Sequence, residues 1–550
     1  MNATNVILVY MHVDVVPNRN SRPCVLIRES FREDGKVKHR TVKNISDLAP
    51  DRIMAIKRSL QGDFDHVAFS GLEESGTKQG PQFGALYLTY QVAKQIGLED
   101  VLGRDRKGKL ALLMVLAQLI QPMSKRAVVE WAKNKAVYEV LGIGGPDDLG
   151  FDENDLYAVL DDLADRRYRI EENLFKLRNK ACSRLFLYDV TSSYLEGECN
   201  EFGDWGYNRD GKKGKKQIVI GLLTDQEGDP VAVDVFRGNT SDPKTVLDQI
   251  KRLAERFCVR DVVFVGDRGM IKSIPLGSIK EAHFRYITAI TKPQVESLIK
   301  LGVVQLNLFD ESLGEVEHEG VRYVFRRNPI RAREMEESRQ ARSDKARAMA
   351  RKLSEELAAS KRKLPPVALR KVQQRIKKLK IDGHVSARLD DRTIVVDVDQ
   401  EALRDKARLD GVYMIKTDVG ASELAKESVH RVYKSLYEVE TDFRTMKTDL
   451  EVRPIYVRKK SRTRGHVLVV MLALILRREL EKRLKPLAIE VRHAIGVMDG
   501  WALLKESLGE LKFSRLPHPR SQQQKILDAV GLKQPTVLCV PRKKSKRQKE

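Results

Sequence analysis

Two short apolar runs in this chain end on aspartates. Leu185-Phe-Leu-Tyr-Asp189 is followed, after Val190, by the polar Thr191-Ser192-Ser193, and Val262-Val-Phe-Val265 runs into Gly266-Asp267-Arg268-Gly269. Read as buried strands of an α/β sheet, each delivers a carboxylate to the strand's carboxyl end, where open sheets of this class place their chemistry. The glycines around Asp267 let other groups come close. A third carboxylate, Glu440, stands in a helical stretch from His430 to Leu450. There Leu436, Val439, Phe443, Met446 and Leu450 recur at helical spacing and would pack inward, while Tyr433, Glu440 and Lys447 fall seven apart on an adjoining stripe that also holds Tyr437 and Arg444. Taken singly, each acid has a plainer reading: a turn cap after a strand, a cap on a helix starting near Met270, a surface glutamate. Together they suit two-metal phosphoryl transfer. Hard carboxylate oxygens would hold two Mg²⁺ or Mn²⁺ ions roughly 4 Å apart, one activating a water or a 3′-hydroxyl and the other steadying the leaving oxygen.

Such a site needs a large scaffold and a matching substrate. At 550 residues the chain exceeds a single core and should form about three or four folded units. Lysine and arginine number 100 against 77 acidic residues, a formal charge of +23, which favours a polyanionic partner and most directly nucleic acid. The five cysteines (Cys24, Cys182, Cys199, Cys258 and Cys539) are scattered, with no Cys-x-x-Cys pair, so neither a disulfide framework nor a zinc finger is indicated. The longest apolar stretches, Leu110–Ile120 and Val467–Leu476, are short of a bilayer span, and no export signal opens the chain. A cytoplasmic, nucleoid-associated protein with no membrane partner is the expectation.

The elements that would position the carboxylates follow from periodicity. Residues 1–75 read as mainly β, with Val6–Val16, Cys24–Glu29 and Lys36–Val42 as strands. Residues 76–178 turn helical and could hold DNA or a second subunit, although no helix-turn-helix is present. After Asp189 come a Gly- and Lys-rich loop, Gly203–Lys216, a hairpin of Ile218–Leu223 and Val231–Phe236, a crossover helix begun at Asp242-Pro243, the Asp267 strand and a strand at Phe284–Ile290. Residues 179–295 thus form the first part of a mixed five-stranded core. Residues 296–420 interrupt it as an insertion with a hairpin around Glu319-Gly320, a charged helical arm broken at Pro365-Pro366, and strands at Thr393–Val398 and Val412–Ile415. Residues 421–510 complete the core with the Glu440 helix and helices at Val467–Leu476 and Leu484–Leu508, and 511–550 form a basic tail ending in Arg542-Lys-Lys-Ser-Lys-Arg.

The run Tyr433-x-x-Leu436-x-x-x-Glu440, continued to Lys447 after six intervening residues, resembles the Tyr-x2-Arg-x3-Glu-x6-Lys signature of DDE transposases of bacterial insertion sequences, in the insertion-sequence-four superfamily. Tyr188-Asp189-Val-Thr-Ser-Ser, Gly238-Asn-Thr-Ser-Asp242, Gly266-Asp267-Arg-Gly269, Phe443-Arg444-x-x-Lys447 and Arg453-Pro454 extend the likeness over roughly residues 180 to 475. The resemblance implies a ribonuclease-H-like α/β core and cleavage and strand transfer at transposon ends. It further implies Asp189, Asp267 and Glu440 as ligands of two Mg²⁺ or Mn²⁺ ions, and Tyr433 and Lys447 on phosphates of the transposon end. Where the signature has Arg this chain has Leu436, so that phosphate contact would be absent or supplied elsewhere, by Arg444 or Arg268. The implied partners are the terminal inverted repeats, target DNA and a second copy of the chain in a dimer or larger assembly. A non-catalytic DNA-binding derivative and a structure-specific nuclease of the same fold are the alternatives.

Three other features draw plainer readings. Gly206-Tyr-Asn-Arg-Asp-Gly211-Lys212-Lys213 approaches a phosphate-loop pattern, but Lys213 replaces the metal-binding Ser or Thr and a strand follows in place of a helix, which argues against nucleotide binding. His466, near Arg462 and Arg464, reads as a packed or phosphate-contacting residue. Trp205 could stack on a base or pack on its own loop.

Overall fold

The computed structural model describes residues 10–18, 22–33, 36–61, 75–145, 148–178, 185–207, 209–240, 263–266, 285–305, 312–360, 362–508, 511–535 and 538–539. The chain divides into two compact units, one of residues 1–174, 445–453 and 457–550, the other of residues 175–444 and 454–456. Asp267, Arg268 and the crossover helix expected after Asp242 lie outside the described residues.

Strands in chain order are β1 (Tyr10–Val16), β2 (Cys24–Glu33), β3 (Lys36–Asn44), β4 (Ser75–Gln82), β5 (Leu185–Tyr194), β6 (Gln217–Asp225), β7 (Pro230–Arg237), β8 (Val263–Val265) and β9 (Arg285–Ala289). They continue as β10 (Gly314–His318), β11 (Val321–Arg327), β12 (Val385–Asp390), β13 (Thr393–Val398), β14 (Val412–Thr417), β15 (Ala502–Leu508), β16 (Leu511–Arg515) and β17 (Leu538–Cys539).

In the first unit, β1, β2 and β3 form an antiparallel sheet whose Ile27 packs with Ile45 and with Ile56 of the helix Pro50–Gln61. That helix is an addition to the β-rich reading of residues 1–75. Its apolar residues Ile53, Ile56 and Leu60 recur three and four apart, a period too brief to stand out beside three strands. The unit's interior is helical. Leu110–Leu119 of the helix Arg106–Ile120 and Val467–Leu476 of the helix Lys460–Leu484 are buried on every face, as expected of helices apolar all round. Gly465 lets Lys460–Leu484 close on the helix Glu153–Leu177, since a β-carbon there would stand 2.1 Å from the Leu160 carbonyl oxygen. The helix expected over Leu484–Leu508 is instead a turn at Lys485–Leu487, a short helix Val491–Asp499 and strand β15. Pro486 and Gly500 punctuate the stretch, and β15 joins β4, β16 and β17 in a four-stranded sheet.

The second unit is built on one mixed sheet, ordered β10-β11-β14-β9-β8-β5-β6-β7. β5 runs parallel to β8, and β8 to β9, while every other pairing is antiparallel. The five strands expected of the core are all here and contiguous. The sheet nevertheless has eight, because β14 pairs with β9 and carries β11 and β10 with it. The insertion therefore continues the core sheet, its Val- and Phe-rich strands covering an edge that would otherwise stay open. Glu319 and Gly320, both at positive φ, close the expected two-residue hairpin between β10 and β11. The charged arm is a helical hairpin, Pro329–Ala359 and Pro365–Lys378, each with proline in its first turn. It has a small core of its own, in which Ala346, Ala350, Leu357, Val372 and Ile376 pack with Val385 of β12 and Ile394 of β13.

Candidate active site

Asp189 sits within a central strand and not at its end as the sequence reading expected, because Thr191, Ser192 and Ser193 go on pairing with β6 and carry β5 to Tyr194. β5 is flanked by β6 and β8, and Phe186, Leu187 and Tyr188 are buried, so the strand is fixed in register before it reaches the half-buried Asp189. Tyr188 lies over Gly221 of β6, where a β-carbon would meet its hydroxyl at 2.2 Å, and its ring is 5.9 Å from that of Phe264 in β8. Asp189 Oδ1 accepts the Val190 amide at 2.8 Å. On the parallel side, Phe186 pairs with Phe264 and Leu187 with Val265. Gly266 continues toward β9, its amide donating to the Ile287 carbonyl at 3.2 Å.

One cation beside Asp189 escaped the sequence reading. Arg209 donates from its side chain to the Val190 carbonyl and from its amide to Ser192 Oγ, the latter at 2.9 Å, so the loop after β5 folds back along the strand. Nothing in the spacing distinguishes Arg209 from the four lysines of the same loop. Its role comes from the register of β5, which only the folded chain displays.

Glu440, Arg444 and Lys447 share one helix, Leu436–Thr448. Val439, Asp442, Phe443 and Met446 are its buried positions, Glu440 and Arg444 are exposed, and Lys447 is half-buried, so the apolar stripe read from sequence is the inward face. The single helix expected from His430 to Leu450 is two. The helix Lys426–Lys434 stops at Ser435, whose amide donates to both the Arg431 and Val432 carbonyls and whose hydroxyl bonds the Arg431 carbonyl at 3.1 Å. A serine able to satisfy local carbonyls offers the backbone an alternative to continuing the helix. Tyr433, half-buried, therefore sits on the helix before the break, and the stripe joining it to Glu440 and Lys447 is interrupted. Leu436, where the signature has Arg, opens the second helix half-buried. Past that helix, the Val452 amide bonds the Met446 carbonyl at 2.8 Å, and buried Gln118 donates to the Leu450 carbonyl at 2.6 Å.

Among the described residues, one group of three acids lies close enough to share a cation: Asp225, Glu227 and Asp229, in the β6–β7 turn. Asp225 Oδ1 accepts the amides of Glu227 and Asp229 at 2.9 and 3.0 Å, which is how an aspartate builds a turn. Asp225 pairs across the ladder with Phe186, three residues and roughly 10 Å along β5 from Asp189, so this cluster lies at the amino end of β5 and apart from Asp189.

His466 does not present a charge to phosphate. Desolvation and the neighbouring Lys125 ammonium push its pKa down to about 3 against a smaller opposing effect of a hydrogen bond with the Val452 backbone, so the ring is neutral at neutral pH. Burial pushes Lys125 itself down to about 8. Among the described residues no single helix is long and apolar enough to cross a membrane.

The chain that forms this mixed sheet, with a half-buried aspartate within its central strand, matches a known family. Residues 180–476, more than half of the chain, fit the model of the transposase DDE domain, and the chain belongs to that family of DDE transposases. Residues 13–69, which hold the second half of β1, β2, β3 and the helix Pro50–Gln61, fit the N-terminal domain of IS1634 family transposases, the transposases of one type of insertion sequence. Among solved structures, the Mos1 transposase paired-end complex with left transposon end is 12% identical, over 34% of this chain and 58% of that one, with a TM-score of 0.15. A pre-cleavage Mos1 transpososome is 11% identical, over 34% and 59%, with a TM-score of 0.14. The chain thus spans less than two thirds of the Mos1 chains it matches. No curated protein matches it significantly.

Proposed function

We propose that this chain is the transposase of an insertion sequence, which cleaves DNA at the element's terminal inverted repeats and joins the freed 3′ ends to target DNA. The observation that carries the reading is the placement of Asp189 on β5, beside the parallel strand β8 that leads into Asp267. Asp189 follows Leu187 by two residues and Asp267 follows Val265 by two, and Leu187 and Val265 are ladder partners. Asp267 itself lies outside the described residues, and its place beside Asp189 is part of the proposal. The five strands β7-β6-β5-β8-β9, in chain order third, second, first, fourth and fifth, with the first three antiparallel and the last two parallel to the first, support a ribonuclease-H-like core.

The donor set fits a hard divalent cation. Asp189, Asp267 and Glu440 are all carboxylates, with no imidazole or thiolate among them, and this is the chemistry of Mg²⁺ or Mn²⁺ sites. When bound, a pair of such ions would lower the pKa of an attacking water or hydroxyl and offset charge on the leaving oxygen. The protein's own part is positional. Asp189 is held by a strand locked on both sides, and Glu440 stands on the solvent face of a helix whose inner face is packed. Arg444 and Lys447, four and seven residues after Glu440, and Tyr433 and Arg268 would bind phosphates of the DNA end, with Arg444 standing in for the arginine that Leu436 replaces. Paired ends call for at least two copies of the chain, and a DNA substrate places the protein on the nucleoid.

The test is cleavage and strand transfer by the purified chain on DNA bearing the inverted repeats that flank its gene, with Mg²⁺ or Mn²⁺. Asp189→Asn, Asp267→Asn and Glu440→Gln should each lower both steps by roughly a thousandfold or more while leaving DNA binding within a few-fold. Full activity in any of the three would remove that residue from the site, and tight end binding without cleavage would make the chain a non-catalytic DNA-binding protein.

A further inference from the structure

The loop between β5 and β6 is exposed, aromatic and basic, yet firmly held. From Gly203 to Lys216 it carries five cations against two acids, and both acids are turned inward: Asp204 accepts the Trp205 amide at 2.8 Å, and Asp210 accepts the Tyr194 amide at 3.2 Å. Asp204 also pairs with Gln217 through both backbone bonds, at 3.0 and 3.1 Å. Gln217 Nε2 donates to the carbonyls of Tyr207 and Gly238, and Arg209 ties the loop to Val190 and Ser192 of β5. Both acids serve the scaffold, Lys215 pairs with Glu196, and Trp205, Tyr207, Lys212 and Lys213 are exposed.

Two rings stand out on that scaffold. Trp205 is 57% exposed and Tyr207 85%, whereas Trp131 and Trp501 are 9% and 2% exposed. A third exposed ring, Tyr456 at 68%, follows Ile455, which bridges Leu195 at the end of β5. Large exposed aromatics on an anchored loop cost solvation without any packing return, and a planar π-face is the ligand that suits them best. With cations alongside, that ligand is a nucleic-acid base still attached to its phosphates. Duplex DNA hides its base faces, so the occupant is unpaired.

We infer that the β5–β6 loop is a stacking platform for unpaired nucleotides of the DNA end, with Trp205 and Tyr207 against bases and Lys212 and Lys213 beside phosphates. Arg209 seats the platform one residue past Asp189, so the strand it holds would be the one leading to the cleavage point. This rests on the proposed transposase reading and adds to it a binding site for single-stranded DNA.

The test uses the full chain without divalent metal, titrated with a short single-stranded oligothymidylate and, separately, with a blunt duplex of two fully paired strands. Because the other two tryptophans are buried, quenching by the single strand reports Trp205. The expected result is quenching in the wild type and a loss of single-strand affinity of about tenfold or more in the double variant Trp205→Ala, Tyr207→Ala, with duplex affinity within about twofold. Trp205→Phe should keep the affinity and lose the signal, which separates stacking from misfolding. Absence of quenching, or an equal loss for both DNAs, would overturn the platform. If the alanine variant binds single strands normally while the wild type still cleaves with Mg²⁺, the platform falls and the transposase reading stands. If the platform binds as stated but the wild type never cleaves, the transposase reading falls alone.

Discussion

Replacing His466 by asparagine tests the electrostatics of the first unit directly. Desolvation and Lys125 hold the folded imidazole near a pKa of about 3, against an ordinary value of 6.5. The neutral ring is therefore the folded state's form, and the unfolded chain takes up the proton first. Stability from this group is fully present above pH 6.5 and is lost as pH falls through 6.5 toward 3. At pH 5 an unfolded imidazole is about 97% protonated and the folded one about 1%, so the cost relative to pH 7 is about 2 kcal/mol. Below about pH 3 it would reach about 5 kcal/mol. Two measurements check this. Carbon-labelled histidine should give one imidazole resonance, absent from His466→Asn, that fails to titrate between about pH 7 and 4.5. Hydrogen exchange of the Val467–Leu476 amides should show wild type losing about 2 kcal/mol more than the variant between pH 7 and pH 5. Lys125→Met should move the resonance part-way back, because it removes the second cause but not the first. A His466 ring titrating near its ordinary value would refute the reasoning and reopen a phosphate contact.

Two further outcomes follow from packing and charge. Gly465→Ala would bring a methyl to 2.1 Å from the Leu160 carbonyl oxygen. The helix propensity gained, about 1 kcal/mol, should be outweighed by an overpacking cost of about 1–3 kcal/mol. Urea denaturation should show a lower midpoint, and an unchanged or higher one would mean the helices separate at little cost. In the insertion, a cleft of about 730 Å³ between the helices Pro329–Ala359 and Gln400–Ala407 is lined by five arginines, of which Arg333 and Arg404 form no ion pair among the described residues. Replacing both by alanine should weaken DNA binding evenly across sequences and reduce the slope of log affinity against log salt by about two, whereas an unchanged slope would place the cleft off the DNA path.

What could be read from the sequence, and what could not, divides along physical lines. β5 and β8 were legible as strands because buried central strands are apolar where neighbours flank them, but the polar Thr191-Ser192-Ser193 hid the continuation of β5 to Tyr194, which leaves Asp189 within the strand and not at its end. The stretch from His430 to Leu450 shows the limit of periodicity. Val439, Phe443 and Met446 mark the inner face correctly, yet the same pattern runs through Ser435, where hydroxyl and amide both turn back to Arg431 and end the preceding helix. Where a helix stops is decided by whether local groups satisfy its last carbonyls, and apolar spacing carries no record of that.

Sheet size was hidden for a different reason. The pattern of β14 and β11 marks them as strands, but nothing in Val412–Thr417 says that its partner is β9, far earlier in the chain. Pairing between distant strands is a property of the folded chain, set by which edge needs covering. Arg209 is the same lesson at the site. As one of five cations in a glycine-rich loop it has no distinguishing neighbour in sequence, and only the return of that loop along β5 brings it to the Val190 carbonyl. Asp189 and Asp267 drew notice as acids that follow apolar runs, a local signal that sequence alone displays. Phosphate contacts would leave no such local mark, because a chain with a net charge of +23 has cations to spare and selects among them by folding.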